Sequence, residues 1–258
     1  MNALHVPYRI FDSHFHIIDR CFPLVPNNGY LPPDFSCTDY RERTNRLPIS
    51  GGAVVSGSFQ AFDQSYLLDA LQRLGPSFVG VTQLPASVAD DELLRLDEAG
   101  VRAVRFNLKR GGSEGVDKLE AFARRVHELV AWHVELYVDS RDLAGLTEIL
   151  LRLPAVSIDH LGLSREGLPH LLSLAEQGVR VKATGFGRVD FDVRQALREI
   201  CAANPEALMF GTDLPSTRAP HPFSDEDVTL VIDALGEEMA RKVFYKNAVN
   251  FYRPRRTE

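Results

Sequence analysis

Two histidines separated by one residue, His14 and His16, stand in an apolar stretch near the N-terminus of the sequence. Side chains alternate between the two faces of a β-strand, so a strand here places both histidines on the same face as Asp12. The other face, with Phe11 and Phe15, is expected to pack against helices. Imidazoles bind metals, donate or accept hydrogen bonds and transfer protons near neutral pH. This stretch therefore predicts a strand that carries chemistry on one face.

A third histidine and an aspartate also follow apolar runs. His160 comes directly after Asp159, and Asp213 follows Phe-Gly-Thr and precedes Leu-Pro. Packing does not explain an aspartate at the end of such a run. A carboxylate close to imidazoles is a combination that serves as a general base or as a metal site.

Apolar runs of strand length alternate with amphipathic runs of helix length through the chain. Strands are predicted at residues 9–17, 52–56, 78–83, 101–107, 133–138, 155–159, 179–184 and 207–212. Helices are predicted at residues 64–74, 91–99, 116–131, 141–151, 167–177, 193–203, 225–235 and 237–251. Parallel strands need crossover connections, so the alternation predicts a parallel sheet. Eight units in 258 residues predict one (β/α)8 TIM barrel, an α/β fold that spans residues 1–258 as a single domain.

Catalytic groups of such barrels come from the C-terminal ends of the strands. His14, His16, His160 and Asp213 all occupy such ends, and we expect them to meet in one site. The segment 18–50 follows the first strand and is rich in Pro, Asn and Arg. A long irregular segment in a compact domain often has a function, and this one is expected to cover the mouth of the barrel as a candidate lid. A surface excursion without a role in binding is the alternative.

Composition excludes several classes of partner. The net charge of −6 gives no basic field for nucleic acid or for an anionic membrane surface.

The three cysteines have no Cys-x-x-Cys spacing, which is typical of a reducing compartment. The N-terminus has no apolar run of signal-peptide length, and the chain has no run of about 18 uncharged apolar residues. A cytoplasmic protein is expected.

The motifs around the candidate residues resemble those of the amidohydrolase superfamily, in the branch typified by 2-pyrone-4,6-dicarboxylate lactonases. They are His14-x-His16 on strand one, Ile-Asp-His160-Leu-Gly on strand six and Gly-Thr-Asp213-Leu-Pro on strand eight. Gly-Val-Arg-Ala-Val-Arg-Phe-Asn on strand four and Lys-Asn-Ala-Val-Asn-Phe-Tyr near the C-terminus extend the likeness over nearly the whole chain. The resemblance implies a TIM-barrel hydrolase with these histidines and Asp213 in its site. It also implies an arginine-rich pocket for a carboxylated substrate.

The chain departs from its relatives after strand eight. Relatives often carry a tryptophan and a histidine around the proline, where this chain has Leu214 and Ser216, and the nearest histidine is His221. The departure bears on the substrate rather than on the fold.

A second departure concerns metal. Members of the superfamily with two metals usually carry a bridging carboxylated lysine on strand four and a histidine on strand five. Here those strands offer Arg-Phe-Asn-Leu-Lys and Val-Glu-Leu-Tyr-Val-Asp, so a binuclear site is not expected. His14, His16 and Asp213 can hold one Zn²⁺ or a similar ion and leave a position open for water. The resemblance equally implies hydrolysis without metal, in which imidazoles polarise the carbonyl. Both possibilities stay open at this point.

The residue types suggest a division of roles. Asp213 is expected to be the general base for a water that attacks a lactone or another activated carbonyl. His14, His16 and His160, or a metal that some of them hold, are expected to stabilise the oxyanion. The candidates for binding substrate carboxylates are Arg105, Arg110, Arg188, Lys109 and Tyr137, because a guanidinium matches a carboxylate bidentately.

Two alternatives remain from sequence. One is a metal-dependent decarboxylase of an aromatic acid on the same scaffold, which would release CO₂ rather than open a ring. The other is a barrel that binds a small molecule without catalysis. Binding alone does not require a base at strand eight, which favours the enzymes.

Overall fold

Eight parallel strands form the barrel in the computed structural model, which describes residues 8–255. They are β1 Ile10–Phe15, β2 Ile49–Val55, β3 Phe78–Thr82, β4 Val101–Asn107, β5 His133–Tyr137, β6 Val156–Ile158, β7 Arg180–Ala183 and β8 Leu208–Phe210. Each strand pairs in parallel with the next one in the chain. The predicted (β/α)8 barrel is confirmed, with each strand close to its predicted position.

The helices surround the barrel. They are α1 Cys37–Thr44, α2 Ser65–Leu74, α3 Asp90–Ala99, α4 Val116–Val130, α5 Leu143–Arg152, α6 Leu168–Glu176, α7 Val193–Ala203, α8 Glu226–Arg241 and α9 Asn247–Tyr252. A π-helical turn, Lys242–Lys246, joins the last two. Gly236 breaks α8 with φ 71° and ψ 165°, which is the boundary that the sequence predicts between its last two helices. No helix in residues 8–255 is long and apolar enough to cross a membrane.

The segment 18–50 is not irregular throughout, because it contains α1 and the first residues of β2. Ser36 caps α1: its side chain accepts from the backbone N–H of Asp39, whose carboxylate accepts from the backbone N–H of Ser36. A serine followed three residues later by an acid is a sequence signal for a helix start. The sequence prediction missed it because the helix is short and mostly polar.

The side chains of β1 do not alternate as predicted. Phe11 packs inside the barrel with Val55 and Val81, whereas Ile10 and Phe15 pack in the layer between barrel and helices. The pairing of β1 with β2 is irregular between Asp12 and Phe15. An irregularity of this kind inserts a residue and reverses which face the following side chains occupy. The two histidines reach the barrel mouth because of it, and not through strict alternation.

The barrel closes at its mouth through backbone hydrogen bonds between β1 and the chain after β8. Asp213 donates to the His14 carbonyl over 2.7 Å, and His16 donates to the Leu214 carbonyl over 2.7 Å. Gly211 permits this approach, since a Cβ at that position would lie 2.6 Å from the backbone nitrogen of His14. The closure places the end of β8 directly beside the histidines of β1.

Candidate active site

Three predicted site residues meet below the mouth of the barrel. The Oδ1 atom of Asp213 lies 3.9 Å from Nε2 of His14 and 3.9 Å from Nε2 of His160. All three side chains are buried. Asp213 Oδ1 and His14 Nε2 have no hydrogen-bond partner within the described chain. These distances are too long for direct hydrogen bonds but leave room for an oxygen atom that bridges the groups.

The loops that carry two of these groups have unusual backbone geometry. His160 has φ 51° and Asp213 has φ 59°, in the left-handed region that side chains with a Cβ rarely adopt. Such conformations cost free energy and persist only where the surrounding structure fixes them. Both residues lie within three residues of the end of a barrel strand, where this backbone geometry directs their side chains toward the mouth.

His16 lies beside His14 but is held by a different contact. Its Nδ1 atom lies 2.7 Å from the carbonyl oxygen of Val55 on β2. The rings of His14 and His16 stand almost perpendicular, with centroids 5.0 Å apart. Nε2 is the His16 nitrogen left free for a ligand, and the side chain lines the cavity at the mouth.

Two arginines that the sequence predicts as substrate ligands are already paired with carboxylates. Arg188 donates from Nε to Asp213 Oδ2 over 2.6 Å and from Nη2 to the Thr217 carbonyl. Arg105 donates from Nε and Nη2 to Asp159 Oδ2 over 3.2 and 2.8 Å. Both arginines also line the mouth cavity. They hold the carboxylates in place and contribute little uncompensated charge.

Lys182 lies below this layer and is fully buried. Its Nζ atom contacts Glu135 Oε2 in a very short ion pair and lies 3.4 Å from Asp159 Oδ1 and 3.2 Å from His14 Nδ1. Burial raises the pKa of Glu135, but the ammonium of Lys182 and the contact with His133 together outweigh it and lower that pKa below its usual range. Tyr252 donates to the same carboxylate from the opposite end of the barrel.

Asp12 does not belong to this network. Its carboxylate accepts from the backbone and hydroxyl of Thr212 over 2.8 and 2.7 Å and from Tyr40 of α1 over 3.0 Å. Burial raises its pKa to about 6 against these hydrogen bonds. Asp12 therefore ties β1 to β8 and α1. The carboxylate beside the His14 ring is instead Asp159, whose Oδ1 lies 3.5 Å from Nδ1.

A small cavity of about 30 Å³ opens above the histidines. Arg110 from the turn after β4 and Tyr137 from β5 line it, and the segment 18–50 contributes Tyr30. Arg218, after β8, also lines it, with its guanidinium 4.2 Å from the ring centroid of Tyr30. The volume is about that of one water molecule, so a larger ligand requires these side chains to move.

Lys109 does not line the cavity, in contrast to the expectation from sequence. Its Nζ atom donates to Asp139 over 2.8 Å, and its side chain is 38% exposed. Asp139 also accepts from Arg141, and it begins the turn that leads into α5. Lys109 thus pairs with a carboxylate of the neighbouring loop, because β4 has already ended at Asn107 and the chain turns away from the mouth.

Burial keeps the site histidines neutral. It lowers the pKa of His14, with a further contribution from the Lys182 ammonium, and it lowers the pKa values of His16 and His160 further still. A neutral imidazole has one nitrogen that donates and one that accepts. Each ring can therefore either donate to a substrate oxygen or present a lone pair, depending on which nitrogen carries the proton.

Two groups of side chains in the described chain have possible metal-ligating atoms within 4.8 Å of one another. The first is His14, His160 and Asp213, so His160 takes the place that the sequence prediction gave to His16. The second is His14, Glu135 and Asp159. The distances between the ligating atoms are short enough for one ion, but the positive charges of the neighbouring residues oppose the binding of a cation. Lys182 occupies the centre of the second group, and in the first Arg188 already neutralises Asp213, so the residues as arranged do not fit a divalent metal.

From sequence, Glu135 and Arg218 have no site role, and Lys182 is suggested as a partner for a buried Asp12, whereas Lys182 pairs with Glu135. Glu135 and Lys182 are charged residues inside apolar strands, in Val-Glu-Leu and Val-Lys-Ala, and a charge in such a run signals a partner inside the barrel. Asp159 is predicted at the mouth only as the polar residue before His160. Arg218 lies in a loop where an arginine carries no signal of its own.

The comparisons with known proteins agree with this fold. The sequence profile of the amidohydrolase family matches residues 11–253. A 2-pyrone-4,6-dicarboxylate hydrolase of Comamonas testosteroni is 27% identical over 96% of this chain and 92% of its own length. A 4-sulfomuconolactone hydrolase of Rhizobium radiobacter is 27% identical over 81% of this chain and 77% of its own length. A solved Agrobacterium tumefaciens structure, 21% identical, superposes with a TM-score of 0.85 over 97% of this chain and 98% of its own. With nearly the whole barrel matched, the chain belongs to the amidohydrolase family.

Proposed function

We propose that this protein hydrolyses the lactone ring of a small substrate that carries carboxylates. The observation that carries the proposal is the position of Asp213 Oδ1, which is buried, unpartnered in the described chain and equidistant from two imidazole nitrogens. A carboxylate held in this way has one oxygen bound by Arg188 and one available to a water molecule. Two relatives, one named a hydrolase of 2-pyrone-4,6-dicarboxylate and the other a hydrolase of 4-sulfomuconolactone, support the same reaction.

The reaction follows from these positions. A water molecule held by Asp213 Oδ1 attacks the lactone carbonyl carbon, and the carboxylate takes its proton. The carbonyl oxygen becomes an oxyanion, which the imidazoles of His14 and His160 are placed to stabilise. The ring C–O bond then breaks, and the leaving oxygen takes the proton back from Asp213 to become a hydroxyl group. The new carboxylic acid releases one proton at neutral pH, so the products are a carboxylate and a hydroxyl group. No step requires a metal.

Substrate carboxylates are proposed to bind Arg110 and Arg218 at the rim of the cavity. Within the described chain neither guanidinium is paired with a carboxylate, in contrast to Arg105 and Arg188. Burial and the charge of Arg110 lower the pKa of Arg218, which indicates a cation without a counter-ion. An anionic substrate would supply that counter-ion. Tyr137 lies under Arg110, with 5.9 Å between guanidinium carbon and ring centroid, and fixes its height above the histidines.

The segment 18–50 is proposed to act as a lid. Asn27 accepts from Arg218 and donates to the Arg110 carbonyl over 3.1 Å, so it fastens the segment to both rim arginines. The cavity of about 30 Å³ is too small for a lactone dicarboxylate, so such a substrate enters only if the contacts of Asn27 with Arg110 and Arg218 break. The Arg218 guanidinium would then exchange Asn27 for a substrate carboxylate, and the Arg110 guanidinium would bind a carboxylate without giving up a contact to Asn27.

The two alternatives receive less support. A metal-dependent decarboxylase needs carboxylate ligands whose negative charge is not already neutralised. Here arginines form ion pairs with both Asp213 and Asp159. A purely binding barrel gives no reason for a strained, unpartnered carboxylate below the cavity.

The experiment is a panel of lactones assayed for ring opening. 2-Pyrone-4,6-dicarboxylate, 4-sulfomuconolactone and an uncharged lactone of similar size would be followed by absorbance and by proton release. We expect hydrolysis of an anionic lactone and little of the uncharged one. Release of CO₂ from an aromatic acid, with no ring opening of any lactone, would reject the proposal in favour of the decarboxylase.

A further inference from the structure

We propose that Lys182 is a positioning residue that fixes His14 as the tautomer with its proton on Nε2. This inference rests on the proposed function, in which His14 donates to the oxyanion. A lysine ammonium has three donors and no acceptor. Around Lys182 Nζ stand three acceptors: Glu135 Oε2, Asp159 Oδ1 and His14 Nδ1. Glu135 Oε2 and His14 Nδ1 each accept a hydrogen bond from the ammonium, and its third partner is an ion pair with Asp159 Oδ1, an oxygen that accepts no hydrogen bond in the described chain.

The charges support an ammonium at this position. Lys182 and Arg105 face Glu135 and Asp159, two cations against two carboxylates, and all four side chains are buried. A neutral lysine would leave one buried carboxylate without a counter-charge, which is strongly destabilising. The balance of charges thus keeps the three protons on Nζ.

The alternative tautomer has a specific cost. If His14 carried its proton on Nδ1, it could donate to Asp159 Oδ1 over 3.5 Å. That N–H would then oppose an N–H of Lys182 across 3.2 Å, and one ammonium proton would lose its acceptor. Donation from Lys182 to His14 is the shorter contact, and it keeps the hydrogen bond between the ammonium and His14 Nδ1 while Asp159 Oδ1 retains its ion pair with Lys182.

The consequence is a difference between two histidines of the same segment. His16 Nδ1 faces a carbonyl oxygen, which only accepts, so His16 carries its proton on Nδ1 and presents a lone pair at Nε2. His14 is reversed and presents an N–H at Nε2, the atom without a partner beside Asp213. His14 can therefore donate to an oxyanion, and His16 can accept from a substrate hydroxyl or water. A protonated Nε2 also has no lone pair for a metal.

Long-range proton–nitrogen NMR spectra of the whole wild-type chain, labelled with ¹⁵N, test the inference without an activity assay. The signals are assigned by their loss in His14→Gln and His16→Gln. We expect a proton on Nε2 of His14 and on Nδ1 of His16, which serves as an internal reference. A proton on Nδ1 of His14 would overturn the inference even if the protein hydrolyses lactones.

A double variant tests the role of the lysine itself. Lys182→Met with Glu135→Gln removes one cation and one anion, which preserves the charge balance and favours folding. We expect His14 to move its proton to Nδ1, donate to Asp159 and gain affinity for Zn²⁺ in calorimetric titrations. The kcat for a hydrolysed lactone should fall by about 10²–10³, the loss of one oxyanion donor, with KM little changed. A double variant that keeps the Nε2 proton on His14 contradicts the assignment, whereas a wild type that opens no lactone contradicts only the proposed function.

Discussion

Arg188 donates to one oxygen of Asp213 over 2.6 Å and leaves the other oxygen of that carboxylate facing two imidazoles. The two oxygens therefore have separate tasks. Oδ2 is fixed by charge, and Oδ1 is available to take a proton. In the proposed mechanism this one side chain is both part of a structural ion pair and the general base, which are otherwise competing explanations of a buried aspartate.

Asp213→Asn is expected to lower the rate of lactone hydrolysis by roughly 10²–10⁴, because an amide cannot act as a base. Folding should survive, since the amide oxygen can still accept from Arg188. Arg188→Met is the matched variant: it leaves the Asp213 charge buried and unpaired, so a stability loss of about 3–5 kcal/mol is expected. Rate and thermal melting would be measured together for both. Wild-type hydrolysis by a folded Asp213→Asn protein would falsify the base assignment.

Arg218→Gln is expected to raise KM for a dicarboxylate lactone roughly 10- to 100-fold, since a charged hydrogen bond contributes about 1.5–3 kcal/mol. The kcat should change less, because an ion pair with a substrate carboxylate stabilises the bound substrate and the transition state equally. Asn27→Ala removes the side-chain contacts of the lid with Arg110 and Arg218 but keeps the cation and its contact with the residue 27 carbonyl, so it tests how much the side-chain contacts of the lid contribute.

Arg124→Gln provides the control for this prediction. Arg124 lies on α4, where it pairs with Glu120 on the surface, and its loss should leave KM unchanged. An equal rise in KM for the uncharged lactone in Arg218→Gln would show that the arginine shapes the cavity rather than binding a carboxylate.

Removal of divalent ions is expected to leave the rate unchanged. Lys182 and Arg188 already neutralise the carboxylates that an ion would need. Elemental analysis of purified protein should give at most one equivalent of Zn²⁺ or a similar ion per chain, and dialysis against a chelator should remove it without loss of hydrolysis. Two tightly bound ions per chain, or activity restored only by added metal, would refute this expectation.

Stability is expected to fall as the pH drops below about 6.5. The native state lowers the pKa values of four buried histidines, so the unfolded chain binds protons there that the native chain does not. Each histidine contributes up to about 1.4 kcal/mol per pH unit between its two pKa values. Asp12 acts in the opposite direction, because its raised pKa gives a contribution that is present below pH 3.8 and lost as the pH rises through about 6.

The histidines outnumber Asp12, so the free energy of unfolding from urea titrations should be lower at pH 5.5 than at pH 7.5. His16→Gln removes one of the four sites and should reduce the slope with pH, whatever it does to stability at pH 7.5. A free energy of unfolding that stays constant over this range would mean that the site histidines are protonated in the native state.

The sequence by itself determined the barrel and the gathering of its chemistry. Eight apolar runs separated by helical patterns leave few alternatives to a parallel barrel, and polar residues that end such strands must meet at one mouth. His14, His160 and Asp213 were found in this way. The helix α1 was also recoverable, from Ser36 and Asp39.

Only the tertiary structure decided which partner each charged group takes. Arg105 and Arg188 had the residue type of substrate ligands, but their carboxylate partners are 54 and 25 residues away in the chain. The faces of β1 depended on an irregular register with β2, which no local pattern encodes. Lys182 contacts Glu135 and His14 across the barrel, and in our proposal these contacts determine which nitrogen of His14 carries the proton. The ion pairs and the tautomer of His14 depend on distances between side chains of different strands. Those distances are fixed only when the barrel has closed.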